Sequence, residues 1–257
     1  VRGNFVGNEI ATLYFSTIGL WPWFSNGNPP QPLNGGIPQL ANLTAHLEKL
    51  RSDIAWTISE DATGYGVIDQ EEWRVFDDLN YHKKIYKSAS VEYMRGKNPQ
   101  MTNEQVKKAS PAAFEASAKE MMLKSLQVAQ AVRPNMHWGY YLYPQYWKSE
   151  PTTTYYNNRL GWLYKASTGI YPSIYIKHIE RQSRDSIYYH IKNAVGEAIR
   201  VRETFNNRTT PVIPYTVIQN GDNLFNKTIL DLAIGLPADM GVDGLVIWGS
   251  SGIFKYN

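Results

Sequence analysis

Apolar residues fall along this chain in two alternating patterns. Short apolar runs flanked by Gly, Pro or Asn occupy Glu9–Tyr14, Tyr65–Asp69, Met136–Tyr141, Tyr171–Ile176, Pro211–Val217 and Gly244–Trp248. Runs of this length and flanking predict buried strands. Between them the spacing changes to threes and fours, which marks amphipathic helices. After Pro38 one stripe is Leu40, Leu43, Leu47, Leu50 and Ile54; a second is Phe114, Ala118, Met122, Leu126 and Ala129, ending before Pro134. A third helix is predicted behind a cap at Ser183, with Ile187, Ile191, Ala194, Ala198 and Ile199 facing inward. Strands alternating with helices predict a parallel sheet with crossover helices. Six strands are too few for an eight-fold α/β barrel, so the expected barrel is smaller, or lacks a strand at one end. Nothing repeats and no linker divides the chain, so residues 1–257 are expected to form one domain.

Composition narrows the class. With 43% hydrophobic and 19% charged residues, the 257-residue chain is an ordinary globular protein rather than a disordered one. Aromatics reach 13%, with 18 Tyr and 8 Trp, which suits a carbohydrate groove and equally a packed core. The net charge of +3 favours a polyanionic partner, an acidic polysaccharide or a nucleic acid. No dense Lys/Arg run accompanies it, so nucleic acid is not expected. No apolar run reaches the length of a membrane span. The chain has no Cys, which argues against a small disulfide-stapled domain. Three Asn-x-Ser/Thr sequons, at Asn42, Asn207 and Asn226, are candidate glycosylation sites and point to secretion. A start at Val1, without Met or signal peptide, suggests a processed or trimmed segment.

The sharpest local feature is Gly66-Val67-Ile68-Asp69-Gln70-Glu71-Glu72-Trp73-Arg74, an apolar strand ending in an acidic cluster. Side chains alternate across a strand, so Asp69 and Glu71 share a side, while Gln70 and Glu72 face away. At the C-terminal end of a barrel strand that side is the mouth, where barrel enzymes work. Two such close carboxylates resist ionising together; one holds its proton to higher pH, as a general acid requires. A second reading stays open here: a helix N-terminus, where carboxylates gather to meet the macrodipole.

Three more strand ends carry aromatics: His137-Trp138-Gly139-Tyr140-Tyr141, Tyr171-Pro172-Ser173-Ile174-Tyr175 and Ile247-Trp248-Gly249-Ser250-Ser251. Together they read as an aromatic-lined groove. Other chemistries find little support. The five His residues lack metal-ligand spacing, so neither a metal nor a cofactor is expected. Asn34-Gly35-Gly36 lacks the rest of a phosphate-binding loop, and no Gly-x-Ser-x-Gly elbow is present.

Taken in order, these segments resemble the animal and venom hyaluronidases, glycoside hydrolase family 56, over nearly the whole chain. The likeness runs through Ile10-Ala11-Thr12-Leu13-Tyr14, Asn34 to Gln39, Val67 to Arg74, Trp138 to Tyr141, Tyr171 to Tyr175, Glu197 to Val201 and Val246 to Ser251. The resemblance implies a distorted (β/α)7 TIM-like barrel, secretion or a lysosomal location, and retaining hydrolysis of β-1,4 bonds of hyaluronan or chondroitin. In that family the substrate's acetamido carbonyl attacks the anomeric carbon, an exception to the two-carboxylate scheme. Glu71 then matches the general acid/base, and Asp69 the carboxylate that orients the acetamido group. Tyr141, Tyr175 and Trp248 match groups lining the sugar subsite. Tyr14, Ser250 and Ser251 match further substrate contacts, Arg74 a support for the carboxylates, and Asp222 a groove residue.

The chain departs from the family at several points. A preceding first strand is missing, which accounts for the count of six, and so is a C-terminal Cys beyond the last strand. The loop Gln145-Tyr146-Trp147-Lys148 has no Cys pair, Gln70 replaces an aromatic, and Val75 stands where Pro is common. Phe15 and Gly252 stand where insect venom members have Asp. These departures set a second expectation beside hydrolysis: a non-catalytic glycosaminoglycan-binding homologue.

Overall fold

The computed structural model describes residues 9–206, 208–221 and 223–249. Its chain groups into two compact units, 1–64 with 68–136 and 65–67 with 137–257.

In the first unit, β1 (Ile10–Tyr14) is followed by a small antiparallel pair, β2 (Trp23–Phe24) and β3 (Pro32–Leu33). Asn34, Gly35 and Gly36 then take left-handed φ values of 51°, 94° and 75°, turning the chain into a 3-10 turn at Pro38–Leu40. A side chain at Gly35 would run into the Leu40 carbonyl, which explains the glycine better than any phosphate would. Helix α1 (Leu43–Thr57) starts one turn later than the apolar stripe predicted, because Asn42 caps it by accepting from the Ala45 N–H at 3.1 Å. The 3-10 turn breaks the phase of that stripe. Leu40 is left 54% exposed, and the buried face is His46, Leu50 and Ile54.

His46 is fully buried and held at both ring nitrogens. Leu20 N–H donates to Nδ1 at 2.9 Å, and Nε2 lies 2.8 Å from the Ser125 hydroxyl, which donates onward to the Met121 carbonyl at 2.7 Å. Burial pushes the His46 pKa down to about 4 against the opposing Leu20 bond, so folding selects the neutral ring. Since the folded value lies below the unfolded one, the unfolded chain binds the extra proton between about pH 6.5 and 4. The His46 contribution alone therefore lowers stability by about 3 kcal/mol as the pH drops through that window. Because other groups titrate in the same range, the check is a difference: the melting temperature of His46→Gln should gain on the parent's as the pH falls from 7 to 4.

The strand β4 (Tyr65–Asp69) is followed by α2 (Ile85–Lys97) and α3 (Asn103–Val132), which carry the rest of this unit's core. Helix α3 opens with a reciprocal capping box between Thr102 and Gln105, and it buries all five residues of its predicted stripe. Arg133, just past its end, is 8% exposed and caps α1 by donating to the Ala55 and Ile58 carbonyls, each at 3.0 Å. Within this unit the end of β4 lies beside β1, where Phe15 N–H donates to the Asp69 carbonyl at 2.8 Å.

The second unit builds a parallel wall outward from the start of β4. Its neighbour is β5 (His137–Tyr140). Two segments follow, with parallel bridges Tyr141 to Tyr171, Ile170 to Val212 and Ser173 to Tyr215. Further on, β6 (Tyr215–Thr216) pairs in parallel with β9 (Val246–Ile247); between them lie the small pair β7 (Gln219–Asn220) and β8 (Asn223–Leu224). The predicted strands Tyr171–Ile176 and Pro211–Val217 sit in this wall but form only bridges and a two-residue ladder. Pro172, Pro211 and Pro214 carry no N–H, so the ladder is interrupted at each of them. Gly66 leaves room for the fully buried Trp138 ring, which any side chain there would strike.

The helices α4 (Glu150–Arg159), α5 (Gly161–Ala166) and α6 (Arg184–Phe205) pack on one another, and α6 packs against this wall. As predicted, Ser183 caps α6, accepting from the Ser186 N–H at 3.1 Å. Its apolar side joins Ile174, Ile176 and Phe225 in a core with the following helical stretch, which starts with α7 (Lys227–Leu230) and ends with α8 (Leu236–Asp239). A buried polar knot ties these helices together. Asn157 donates to Glu197 at 2.8 Å and accepts from the Tyr164 hydroxyl at 2.8 Å, while Arg200 grips Glu197 through two bonds of 2.7 Å. Every member is satisfied, so the knot sets register without leaving a bare charge.

Candidate active site

Strand β4 ends at Asp69, and residues 70–74 continue without helix, the next helical turn being Asp77–Leu79. The helix-dipole reading of the acidic cluster therefore falls. Asp69 is half-buried and Glu71 is 46% exposed. Burial raises the Asp69 pKa to about 7; the Glu71 charge adds to the rise and Arg74 opposes it. The carboxyl that keeps its proton in the free protein is thus Asp69.

Arg74 ties the segment back on itself. Its guanidinium donates to the Glu71 carbonyl at 2.8 Å and comes within 3.8 Å of the Glu71 carboxylate. The backbone of Arg74 is in turn clamped by Asn80, which is 4% exposed. Asn80 accepts from the Arg74 N–H at 2.8 Å and donates to the Arg74 and Phe76 carbonyls at 2.9 and 3.1 Å. The sequence carries no signal for Asn80, because its role depends on a loop closing back on itself.

The neighbours of the pair face away as alternation predicts, but each has a partner. Gln70 is 2% exposed; its amide oxygen lies 3.1 Å from the Trp73 indole nitrogen, and its nitrogen donates to the Trp73 carbonyl at 3.2 Å. Glu72 accepts from Lys83 at 2.7 Å and from the Tyr86 hydroxyl at 3.3 Å. Tyr14, 39% exposed, ends β1, next to the Phe15 bond to Asp69.

The second unit presents a row of rings at the C-terminal ends of its strand segments. Tyr141 and Tyr175 lie 6.2 Å apart between ring centres, Tyr175 and Trp248 6.3 Å, and Tyr141 and Tyr215 4.9 Å. The Tyr141 hydroxyl donates to Ser173 at 3.3 Å. Trp248 is 41% exposed. Ser173 and Tyr215 were in predicted strands but not picked out as site residues. Alternation alone could have flagged Ser173, two residues before Tyr175. The expected contacts Ser250, Ser251 and Asp222, the sequon Asn207 and the departure Gly252 lie outside the described residues. The other two sequon asparagines are exposed helix caps, Asn42 of α1 and Asn226 of α7.

Among the described residues no helix is long and apolar enough to cross a membrane. None of their His, Asp and Glu side chains gather in threes that could hold a metal ion.

Comparison with known proteins gives a consistent result. The hyaluronidase family model matches residues 1–257. Hyaluronidase conohyal-ad1 of Conus adamsonii is 37% identical over 257 residues, covering 99% of this chain and 73% of that protein. Hyaluronidase conohyal-Cn1 of Conus consors is 36% identical, covering 98% of this chain and 55% of that protein. Human hyaluronidase PH-20 is 31% identical, covering 99% and 52%. The chain therefore spans about half the length of these last two relatives. Bee venom hyaluronidase, solved in complex with a hyaluronic acid tetramer, superposes with a TM-score of 0.87 at 30% identity, covering 96% of this chain and 80% of that one. The fold is thus the TIM-barrel-like α/β fold that the strand-helix alternation predicted.

Proposed function

Because the chain belongs to the hyaluronidase family of glycoside hydrolases, we propose that residues 1–257 act as one catalytic domain cleaving β-1,4 bonds of hyaluronan, and of chondroitin, with retention. The observation that carries this reading is the carboxyl pair at the end of β4, with Asp69 pushed up to about 7 beside Glu71.

In the proposed reaction the substrate supplies its own nucleophile. The acetamido oxygen forms a bond to the anomeric carbon as the glycosidic C–O bond breaks, and Glu71, which takes over the pair's single proton from Asp69 as the acetamido group binds, gives that proton to the leaving oxygen. Asp69 accepts from the acetamido N–H and offsets the positive charge that develops on the cyclised group. Glu71 then takes a proton from water as the water oxygen opens that ring, restoring the acetamido group with the original anomeric configuration. Tyr141, Tyr175 and Trp248 line the sugar subsite, with Tyr14, Ser250, Ser251 and Asp222 as further contacts. Arg74 supports the pair through Glu71.

The burial of Gln70 against Trp73 favours hydrolysis over mere glycan binding, since this departure points away from the acidic side. A secreted protein glycosylated at Asn42 and Asn226, and at Asn207, would suit an extracellular polymer. Each of the two described asparagines uses its oxygen as a helix cap and leaves its amide nitrogen to solvent.

The test is release of new reducing ends from hyaluronan and from chondroitin between pH 3.5 and 7.5. Saturable binding of both polymers without new reducing ends would overturn hydrolysis and leave the binding homologue. Asn80 enters as a positioning residue. Asn80→Ala should lower kcat about tenfold or more with little change in KM, because the Arg74 turn loosens while the sugar subsite stands. It should also cost about 2 kcal/mol of stability by stranding buried backbone groups. Steady-state kinetics and thermal denaturation on the same preparation check both.

A further inference from the structure

The loop after β5 presents what the family likeness does not explain. Where relatives were expected to carry a Cys pair, Gln145-Tyr146-Trp147-Lys148 is laced to two helices by other means. Asn157 of α4 donates to the Gln145 carbonyl at 2.8 Å, and Trp147 N–H donates to the Thr153 hydroxyl at 3.1 Å. The Trp147 ring packs 5.2 Å from Tyr156. On the other side Asn193 of α6 donates to the Tyr146 hydroxyl at 3.0 Å, and the His190 ring lies 5.9 Å from that of Tyr146. The loop therefore ties α4 to α6.

Both helices expose rings the core does not need. Tyr155 on α4 is 57% exposed and Tyr189 on α6 is 58% exposed. Cations flank them. Arg159 lies 5.4 Å from the centre of Tyr155, and Lys192, three residues beyond Tyr189, lies 5.5 Å from that of Tyr188. Exposed Lys148 is close enough that its charge helps push the His190 pKa down, behind the larger effect of burial. Neither Lys148 nor Lys192 has an ion-pair partner among the described residues. Residues 145–159 and 184–193 together carry four Lys or Arg against two carboxylates, Glu150 and Asp185, so the surface is net positive. Ile174 and Ile176, which flank the sugar-subsite Tyr175, share a core with Ile187 and Ile191 of α6.

We infer that this α4–loop–α6 surface is a second, non-catalytic binding site for the acidic polysaccharide, engaging the chain beyond the cleavage subsites. The inference rests on the hydrolase reading for the identity of the polymer. The chemistry is complementary at two levels. Tyr155 and Tyr189 offer flat faces to sugar rings, and Lys148, Arg159 and Lys192 meet the carboxylate carried by every second sugar. A neutral glycan lacks the charge for this surface. A duplex nucleic acid or an anionic bilayer supplies charge but no exposed pyranose faces for the tyrosines to stack on.

The experiment compares Lys148→Glu/Lys192→Glu and Tyr155→Ala/Tyr189→Ala with the parent chain, in two formats. In the first, KM and kcat are measured on long hyaluronan and on a short oligosaccharide that fills only the cleavage subsites. Both variants should raise KM on the long polymer about tenfold and leave kcat and the oligosaccharide kinetics unchanged. In the second, binding of labelled hyaluronan is measured on a Glu71→Gln background, where cleavage is suppressed. Affinity should drop by a similar factor in both variants.

Unchanged long-polymer KM and unchanged binding would overturn the inference. So would equal affinity of the parent for duplex DNA or phosphatidylserine vesicles at the same salt. If the parent cleaves nothing, the hydrolase reading fails, yet the binding format still decides the surface. The tyrosine pair is exposed, so its removal should not disturb folding, and it keeps the test decisive if the charge reversals do.

Discussion

Glu71→Gln should lower turnover by about 10²–10⁴-fold while leaving KM and thermal stability close to those of the parent chain. The amide matches the carboxyl in shape but has no proton of the required acidity to give the leaving oxygen, and it cannot withdraw one from water. The local backbone should survive the change, because Arg74 is anchored to the Glu71 carbonyl rather than to its carboxylate. The side-chain contact to Arg74 is long, at 3.8 Å, and half in solvent, so its loss is worth little. The substitution also removes one of the two causes that raise Asp69, so the Asp69 pKa should move back toward its ordinary value. A reducing-end assay beside a melting curve separates the outcomes. Parental turnover in a folded variant would refute the role assigned to Glu71. Loss of turnover with loss of the folded state would be a structural effect, and intact binding of labelled hyaluronan would exclude it.

What could be read from sequence follows the range of the forces involved. Helices α3 and α6 were legible from their stripes, and α6 also from its cap, because these lie within a few turns of the same segment: Phe114, Ser183 and Ile187 do what local rules require, while the start of α3 behind Thr102 was not read. The acidic pair was legible for the same reason, since alternation across β4 needs only three consecutive residues. Leu40 was misplaced because a cap at Asn42 and a 3-10 turn before it reset the phase of α1. His46 was not recognised as core, because its burial depends on Leu20 and on Ser125, 79 residues away. The wall segments around Pro172 and Pro214 were placed correctly but drawn too regular, since a missing N–H interrupts a ladder without moving the chain. Asn80 shows the limit most clearly. It is an ordinary loop residue in the sequence, and only the closed turn reveals that it holds the backbone beneath Glu71 and Arg74.

Asp69→Asn should separate stability from activity, in opposite directions. The folded pKa of Asp69, about 7, lies above its ordinary value of 3.8, with burial as the main cause. Between these values the folded chain holds a proton that the unfolded chain has released. Stability therefore falls as the pH rises from about 4 to 7, and the loss is complete above that window. Asparagine does not titrate, so the variant escapes this loss. Its melting temperature should equal or trail the parent's near pH 4, gain steadily as the pH rises, and stay above the parent's beyond pH 7. Turnover should move the other way, falling by about 10²–10³-fold, because a neutral amide cannot offset the charge developing on the acetamido group. The same strain shapes the parent's pH profile. Below about pH 7 the pair as a whole retains one proton, available for the leaving oxygen; above it that proton is lost, so activity should decline on the alkaline side. Melting curves and initial rates measured on one pH series test both halves. A variant destabilised at every pH would mean that Asp69 is held by contacts rather than strained by burial. One that keeps parental turnover would remove Asp69 from the reaction. The expected pattern, a gain in stability bought with activity, requires a carboxylate placed where folding alone would not keep one.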